Sequence, residues 1–451
     1  MSLIASDRFS LIIGLGKTGF ACAQYFAKQG ERFAVVDSRQ APPYLAQLQQ
    51  QQPEITIHLG EFEVDLCLAA RQIILSPGVS RQEPALLAAA AAGVPIRGDM
   101  DLFSQAAHAA GVPIVAITGS NAKSTVTSLV GQMALDSGVS VAVGGNLGEP
   151  SVSLLANDID LYVMELSSFQ LESTSALGAA VACVLNVSPD HMDRYASLMQ
   201  YHQAKHRIFQ ACKATVVNGD DVLTNPLVPD SVGQTRFSLG EPDVGQFGVR
   251  QSNGADWLAQ GFDLLMPVAD MTLVGRHNVA NGLAALALGQ TVGLPMETML
   301  TSLRHFRGLR HRCELVHRGA GVSYVNDSKG TNVGATVAAI QGLGSTIAGK
   351  IILIAGGLGK GADFSDLVKP LIQYGRETIL MGQDRHQIEQ ALAGQVNIIM
   401  VDDMSAAVTV AQQKAQVGDL VLLSPACSSF DAYSDFEARG DHFTQLVQAL
   451  S

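Results

Sequence analysis

At 451 residues, with 47% hydrophobic and 16% charged side chains, the chain is too long for one compact core and too apolar for disorder, so about three domains are expected. A formal charge of −12 argues against a phosphate-backbone binder and hence a nucleic-acid partner, but leaves room for small anions held by local cations and helix ends. The six cysteines (Cys22, Cys67, Cys183, Cys212, Cys313 and Cys427) form no CxxC pair, which excludes a zinc site or disulfide framework and points to reduced thiols.

No basic-then-apolar pattern opens the chain, and no apolar run reaches the roughly 20 residues that a bilayer demands. A cytoplasmic protein without membrane insertion, acting as a monomer, is expected.

The first segment, 1–100, opens with a strand at Phe9–Ile13 followed by Gly14-Leu15-Gly16-Lys17-Thr18-Gly19 and a helix ending near Gly30. A second strand, Arg32–Val36, finishes on Asp37. Strand, GxGxxG, helix and an acid about twenty residues on is the dinucleotide-binding fingerprint. Strands follow at Ile55–His58 and Gln72–Leu75, the latter running into Ser76-Pro77-Gly78, a tight turn at the ligand-binding edge of a parallel sheet.

The second segment, 101–308, carries a strand at Ile114–Thr118 that breaks at Gly119-Ser120-Asn121-Ala122-Lys123-Ser124-Thr125 and restarts as a helix at Ser124. Backbone N–H groups of such a turn cradle phosphate oxygens. Lys123 would lie over the β/γ-phosphates, with the Ser124 or Thr125 hydroxyl on Mg²⁺. The strict pattern needs glycine where this chain has Ile117 and Ala122, so alone the loop reads equally as an ordinary turn with a solvated lysine.

Three further strands, Val139–Val143, Leu161–Met164 and Val181–Asn186, end in Gly144-Gly145-Asn146, Glu165–Gln170 and Asn186–Asp193. In a parallel sheet these ends converge beside Lys123. Glu165 and His191 then become hard ligands for Mg²⁺, whereas each alone would be a strand cap or a loop histidine. Lys205, on the next helix, reads from spacing as a solvated side chain. Asn278 and Asn281 share a helix face, for capping or for binding. Between Gly219 and Gly275 short alternating runs suggest an antiparallel excursion before helices at Asn278–Gly289 and Pro295–Arg304.

The third segment, 309–451, alternates helices with strands Ser323–Asn326, Lys350–Ile354, Glu377–Met381, Asn397–Val401 and Asp419–Leu423. Loops at 326–332, 356–361 and 424–431 follow strand ends. Lys329, Thr331, Lys360 and Ser429 would jointly hold an acidic amino acid; helix capping explains any one of these loops but hardly all.

In order and content, Gly119–Thr125, Glu165–Gln170, Asp190–Tyr195, His277–Asn281, His311-Arg312, Asn326–Asn332, Gly356–Phe364 and Ser424–Phe436 resemble the Mur ligases over essentially the whole chain. The resemblance implies an α/β protein of three domains: a Rossmann-like N-terminal domain, a central P-loop-like ATP-binding domain and a Rossmann-like C-terminal domain. It implies ATP-dependent amide formation between the lactoyl-alanine carboxylate of a UDP-sugar and D-glutamate, through an acyl phosphate, with two Mg²⁺ sites. Lys123, Ser124 and Thr125 would bind the ATP phosphates, with Glu165 and Ser124 on one metal. His191 would help hold the second, oriented by Lys205 as a carbamate, against the solvated reading.

By the same resemblance Asn281, Arg312 and Asp327 would contact adenine and ribose, and Lys329, Thr331, Lys360, Ser429, Phe430 and Phe436 D-glutamate. Leu15, Lys17, Thr18, Asp37, Ser38, Arg39, Ser76 and Gly78 would line the uridine diphosphate site, and Asn146 the sugar-peptide end. Ala122 departs from the glycine usual in the family and narrows the turn. A nicotinamide-dependent dehydrogenase explains only the first hundred residues. Folylpolyglutamate synthase lacks the N-terminal domain, and a non-catalytic scaffold would not need Lys123, Glu165, His191 and Lys205 together.

Overall fold

Apolar runs bounded by turn residues become buried parallel strands, as at Ile114–Thr118, where every residue is buried. The structure, a computed structural model, describes residues 9–273 and 275–450; residues 1–8 of the first segment lie outside the described residues. Ser10–Ile13 (β1), Phe33–Asp37 (β2), Thr56–Leu59 (β3), Gln72–Leu75 (β4) and Ile96–Arg97 (β5) form an all-parallel sheet in the order β3-β2-β1-β4-β5. The helix Lys17–Gln29 approaches β1 so closely that a Cβ on Gly19 would stand 1.8 Å from the Gly14 carbonyl oxygen. The last glycine of the fingerprint is thus required by packing.

The second sheet joins Ile114–Thr118 (β6), Val141–Gly145 (β7), Leu161–Glu165 (β8), Val181–Val184 (β9), Ala214–Asn218 (β10), Gly233–Phe237 (β11), Phe247–Ser252 (β12), Ala255–Gln260 (β13) and Asp263–Pro267 (β14). Its order is β14-β13-β12-β11-β10-β9-β6-β8-β7. The antiparallel excursion begins later than its turn-rich sequence suggests. β11 still runs parallel to β10, and only β12, β13 and β14 make antiparallel pairs.

Glu314–Gly319 (β15), Val322–Asn326 (β16), Ile351–Gly356 (β17), Gly375–Met381 (β18), Ile398–Met400 (β19) and Leu420–Leu423 (β20) build the third sheet, ordered β15-β16-β20-β17-β18-β19. The pairs from β16 to β19 are parallel, and β15 adds an antiparallel edge. Its mixed, half-exposed residues gave no strand signal.

Both faces of each sheet are covered. One apolar cluster runs unbroken from the first sheet into the second through Phe26, Phe103, Tyr162 and Leu171. Helix Arg276–Thr291 seals the other face of the second sheet with Leu283 and Leu286. Leu353 and Leu422 face one layer of the third sheet, Ile354 and Val421 the other. The polar strand ends are therefore the accessible parts of each sheet. No helix among the described residues is long and apolar enough to cross a membrane.

Candidate active site

The loop after β6 is held from beneath. Ser120 N–H donates to the Asn186 carbonyl at 2.9 Å and Asn121 N–H to Asn186 Oδ1 at 2.8 Å. Helix Lys123–Asp136 starts without a side-chain cap, leaving its first N–H groups for a ligand. Ala122 takes the left-handed conformation, φ +66°, at a cost of about 1–2 kcal/mol for a residue with a Cβ. Backbone twist, more than any narrowing by the methyl, is what glycine would relieve here.

Two ammonium groups converge on one carbonyl. Lys123 Nζ donates to the Gly119 oxygen at 2.8 Å and to Ser120 O at 3.0 Å, and Lys205 Nζ reaches the same Gly119 oxygen at 2.7 Å. Lys205 is not solvated: it is 1% exposed, and its Nζ lies 4.4 Å from the Tyr201 ring centroid. Helix Leu198–His206 turns its Tyr201, Ala204 and Lys205 face inward, a choice made by tertiary packing that local spacing does not reveal. Burial, then repulsion from Lys123, pushes the Lys205 amine well below the usual lysine range, with Asp190 and Glu165 opposing. Burial also lowers Lys123.

Glu165, at the end of β8, is buried and doubly bonded. Ser124 Oγ donates to its Oε2 at 2.5 Å and Asn146 Nδ2 to its Oε1 at 2.8 Å. Among the described residues no three His, Cys, Asp or Glu side chains are grouped to hold a metal. A carboxylate and a hydroxyl facing a phosphate loop nevertheless suit Mg²⁺, which keeps waters and takes much of its shell from substrate phosphates. His191 stands at φ +56°, with Nε2 3.6 Å from Asp190 Oδ2 and its ring edge-on to Phe169 at 4.8 Å. Arg194 lies over the same Phe169 ring at 4.3 Å and binds Glu172 at 2.7 Å. Burial lowers the His191 pKa, and Asp190 opposes.

From the third sheet, Arg312 Nη2 donates to Ser124 Oγ at 2.5 Å. Asp327 accepts from Ser424 Oγ at 2.7 Å and from Cys313 N–H at 3.2 Å. Burial raises its pKa to about 6, against those hydrogen bonds and Arg312. Asn281 Nδ2 donates to Asn278 Oδ1 at 3.2 Å. Lys329 Nζ sits 3.8 Å from the Phe436 ring centroid, and burial followed by Arg312 and Lys123 lowers its pKa to about 8. Lys360 Nζ is 3.5 Å from Asp190 Oδ1.

One cavity of about 650 Å³ brings Ser120–Thr125, Asn146, Glu165, His191, Lys205, Asn281, Arg312 and Asp327 together with Lys329, Thr331, Lys360, Ser429, Phe430 and Phe436. Gly119 stays behind the wall and contributes its carbonyl. A second cavity of about 540 Å³ collects Lys17, Thr18, Asp37, Ser38, Arg39, Ser76, Gly78 and Asn146. Leu15 is not among its lining residues: its side chain is fully buried, and its N–H binds Asp37 Oδ2 at 2.6 Å. Arg39 clamps the Asp37 carboxylate at 2.8 and 2.7 Å. Burial alone would raise Asp37, but these bonds hold it at about 2. Lys17 Nζ crosses to the Gly148 carbonyl at 2.9 Å.

Sequence reasoning missed Asp190 and Asn332 as site residues and Arg439 as the support of two pocket loops. Arg439 is 1% exposed and donates to Ser328 Oγ at 3.0 Å, Ser328 O at 2.8 Å and Cys427 O at 3.1 Å. It thereby ties the loop after β16 to the loop after β20. Nothing in a polar helix sequence marks an arginine as buried.

Family models match in succession: a MurD-like Mur ligase N-terminal domain over residues 8–98, a Mur ligase middle domain over 117–289, and a Mur ligase glutamate ligase domain over 311–427. The UDP-N-acetylmuramoylalanine–D-glutamate ligases of Pseudomonas syringae pv. syringae and Pseudomonas aeruginosa are each 52% identical over 451 residues, covering all of both chains. The chain belongs to the Mur ligase family. Solved structures share the fold of this Mur ligase at low identity. MurF of Thermotoga maritima in complex with ADP has a TM-score of 0.63 at 16% identity, over 100% of this chain and 98% of its own. The UDP-N-acetylmuramate-alanine ligase of the same organism has a TM-score of 0.60 at 19% identity, over 98% and 100%.

Proposed function

We propose that this Mur ligase joins D-glutamate to UDP-N-acetylmuramoyl-L-alanine at the expense of ATP, as a cytoplasmic monomer in peptidoglycan precursor synthesis. The observation that carries the phosphoryl chemistry is the convergence of Lys123 and Lys205 on the Gly119 carbonyl, at an uncapped helix start facing the large cavity. Two amines crowded on one neutral oxygen, beside a helix start with open N–H groups, favour an incoming anion. The full-length identity to D-glutamate ligases supports the substrate pair. The separate sheets support a division into 1–100 for the UDP-sugar, 101–308 for ATP and 309–451 for the amino acid.

The donor carboxylate attacks the γ-phosphorus of ATP, ADP leaves, and an acyl phosphate forms. Lys123 offsets the charge that spreads over the transferring oxygens, and the helix N–H groups hold the remaining phosphates. Mg²⁺, when bound through Glu165 and the Ser124 hydroxyl, neutralises phosphate charge; a second ion would lie toward His191. Arg312, Asp327 and Asn281 orient the nucleoside end. Lys329, Thr331, Lys360, Ser429, Phe430 and Phe436 hold the acidic acceptor, whose free amine attacks the acyl carbon and expels inorganic phosphate.

Burial keeps Lys205 readily neutral, and a neutral amine is the form that adds carbon dioxide to become a carbamate. That change would set beside Lys123 an anion able to orient a metal. Phosphate release by purified protein with ATP and the UDP-sugar tests the reading. D-glutamate should drive turnover and L-glutamate should not; equal rates with several amino acids would refute the acceptor.

A further inference from the structure

We propose that Asn332 is a positioning residue: its amide nitrogen fastens the amino-acid pocket to the phosphate loop, so that the amine reaches the acyl phosphate before water does. The inference rests on the ligase reading above. Asn332 precedes helix Val333–Gly344, and its Oδ1 accepts from Ala335 N–H at 2.9 Å, the ordinary work of an N-cap. Its Nδ2 carries two hydrogens and has two acceptors, Asn121 Oδ1 at 3.1 Å and Asp190 Oδ2 at 3.1 Å. One is in the phosphate loop after β6, the other in the loop after β9. The side chain is 7% exposed.

Chemistry fixes the amide's orientation. Turned over, it would press its oxygen on the Asp190 carboxylate and face the Ala335 N–H with a second donor. The helix start is also seated tightly against the middle domain, since a Cβ on Gly334 would stand 2.9 Å from Ser188 Oγ. Arg312 and Lys360 reach across the same gap to Ser124 and Asp190, but they are cations that anionic substrates would recruit. The Asn332 hydrogens are neutral and already fully used, so this tie persists when the site fills. It lies one residue beyond Thr331 and three beyond Lys329.

Without the tie, the C-terminal pocket delivers its amine late. Water then attacks the acyl phosphate, restoring the carboxylate and releasing inorganic phosphate, so ATP is consumed with no amide formed. Asn332→Asp keeps the cap oxygen but turns an acceptor toward two acceptors; Asn332→Ser keeps the cap and removes the bridging donor without adding charge. The full chain is assayed for phosphate and amide together, with KM for ATP and D-glutamate and the melting temperature.

The Ser variant should melt close to the parent and the Asp variant somewhat lower, and both should keep its KM for ATP. KM for D-glutamate should rise about tenfold, the scale of one hydrogen bond to a charged group, and phosphate should exceed amide, more so for Asp than for Ser. Parental KM with one phosphate per amide in both variants would overturn the proposal, as would losses that merely follow a lowered melting temperature. If the parent itself forms no amide, the ligase reading fails and this inference falls with it.

Discussion

Replacing Arg439 with methionine separates stability from function in a calculable way. The guanidinium is fully buried and makes three hydrogen bonds, to Ser328 Oγ, Ser328 O and Cys427 O. Burial lowers its pKa from 12.5 to about 10, against Cys427 and Asp431, which corresponds to about 3 kcal/mol spent on keeping the charge inside. Methionine removes that cost but orphans two buried carbonyls, at about 1–2 kcal/mol each, while the Ser328 hydroxyl keeps its bond to the Phe436 carbonyl. The two sums nearly cancel, as buried charges replaced by apolar residues often do.

R439M should therefore melt within a few degrees of the parent. The loops carrying Lys329 and Ser429 lose their common anchor, however, and KM for D-glutamate should rise about tenfold or more, with KM for ATP little changed. Calorimetry and steady-state kinetics on the same preparation decide it. A melting temperature lowered by 10 °C or so with unchanged kinetics, or no effect on either, would refute the reasoning.

Lys123→Ala should cut turnover by at least ~10²-fold while leaving the circular dichroism spectrum intact; near-parental turnover removes its assigned role. Lys205→Ala should lose activity that acetate or another small carboxylate partly restores, and full activity without rescue ends the carbamate idea. Asp327, raised to about 6 by burial, is mostly protonated at pH 5 and mostly ionised at pH 7. If the carboxylate is the binding form, kcat/KM for ATP should rise about tenfold across that interval, and Asp327→Asn should flatten the limb. The linked stability has the opposite sign, falling as pH climbs from 3.8 toward 6, because the folded chain holds this proton more tightly than the unfolded one.

The parallel strands and their polar ends were legible because buried β-branched runs and glycine turns are local signals: Gln72–Leu75 is observed as read, and Leu161–Met164 is extended only by Glu165. β15 was not legible, since its alternating polar residues face a half-covered edge. For the site, residues on strand ends beside the phosphate loop could be named from spacing. Spacing alone made Lys205 solvated because a helix period says which residues share a face, not which face is buried; only the resemblance pointed inward. Helix capping was one reading of the 326–332 loop, and Asn332 is the cap; that its amide hydrogens cross to a different sheet depends on domain placement. The Asp37 carboxylate read as the acid of the dinucleotide-binding fingerprint, yet Arg39 and the Leu15 N–H already occupy it, a local pairing that the fingerprint does not encode.

Asn146, Ser167 and Phe169 line both cavities, so the two recesses share a wall. On the proposed function, a donor molecule would have to be long enough to seat its nucleotide in the far recess while its carboxylate arrives beside Lys123. The protein would thereby measure length as well as chemistry: a truncated sugar peptide would fill the near end yet lack the anchorage that sets its depth.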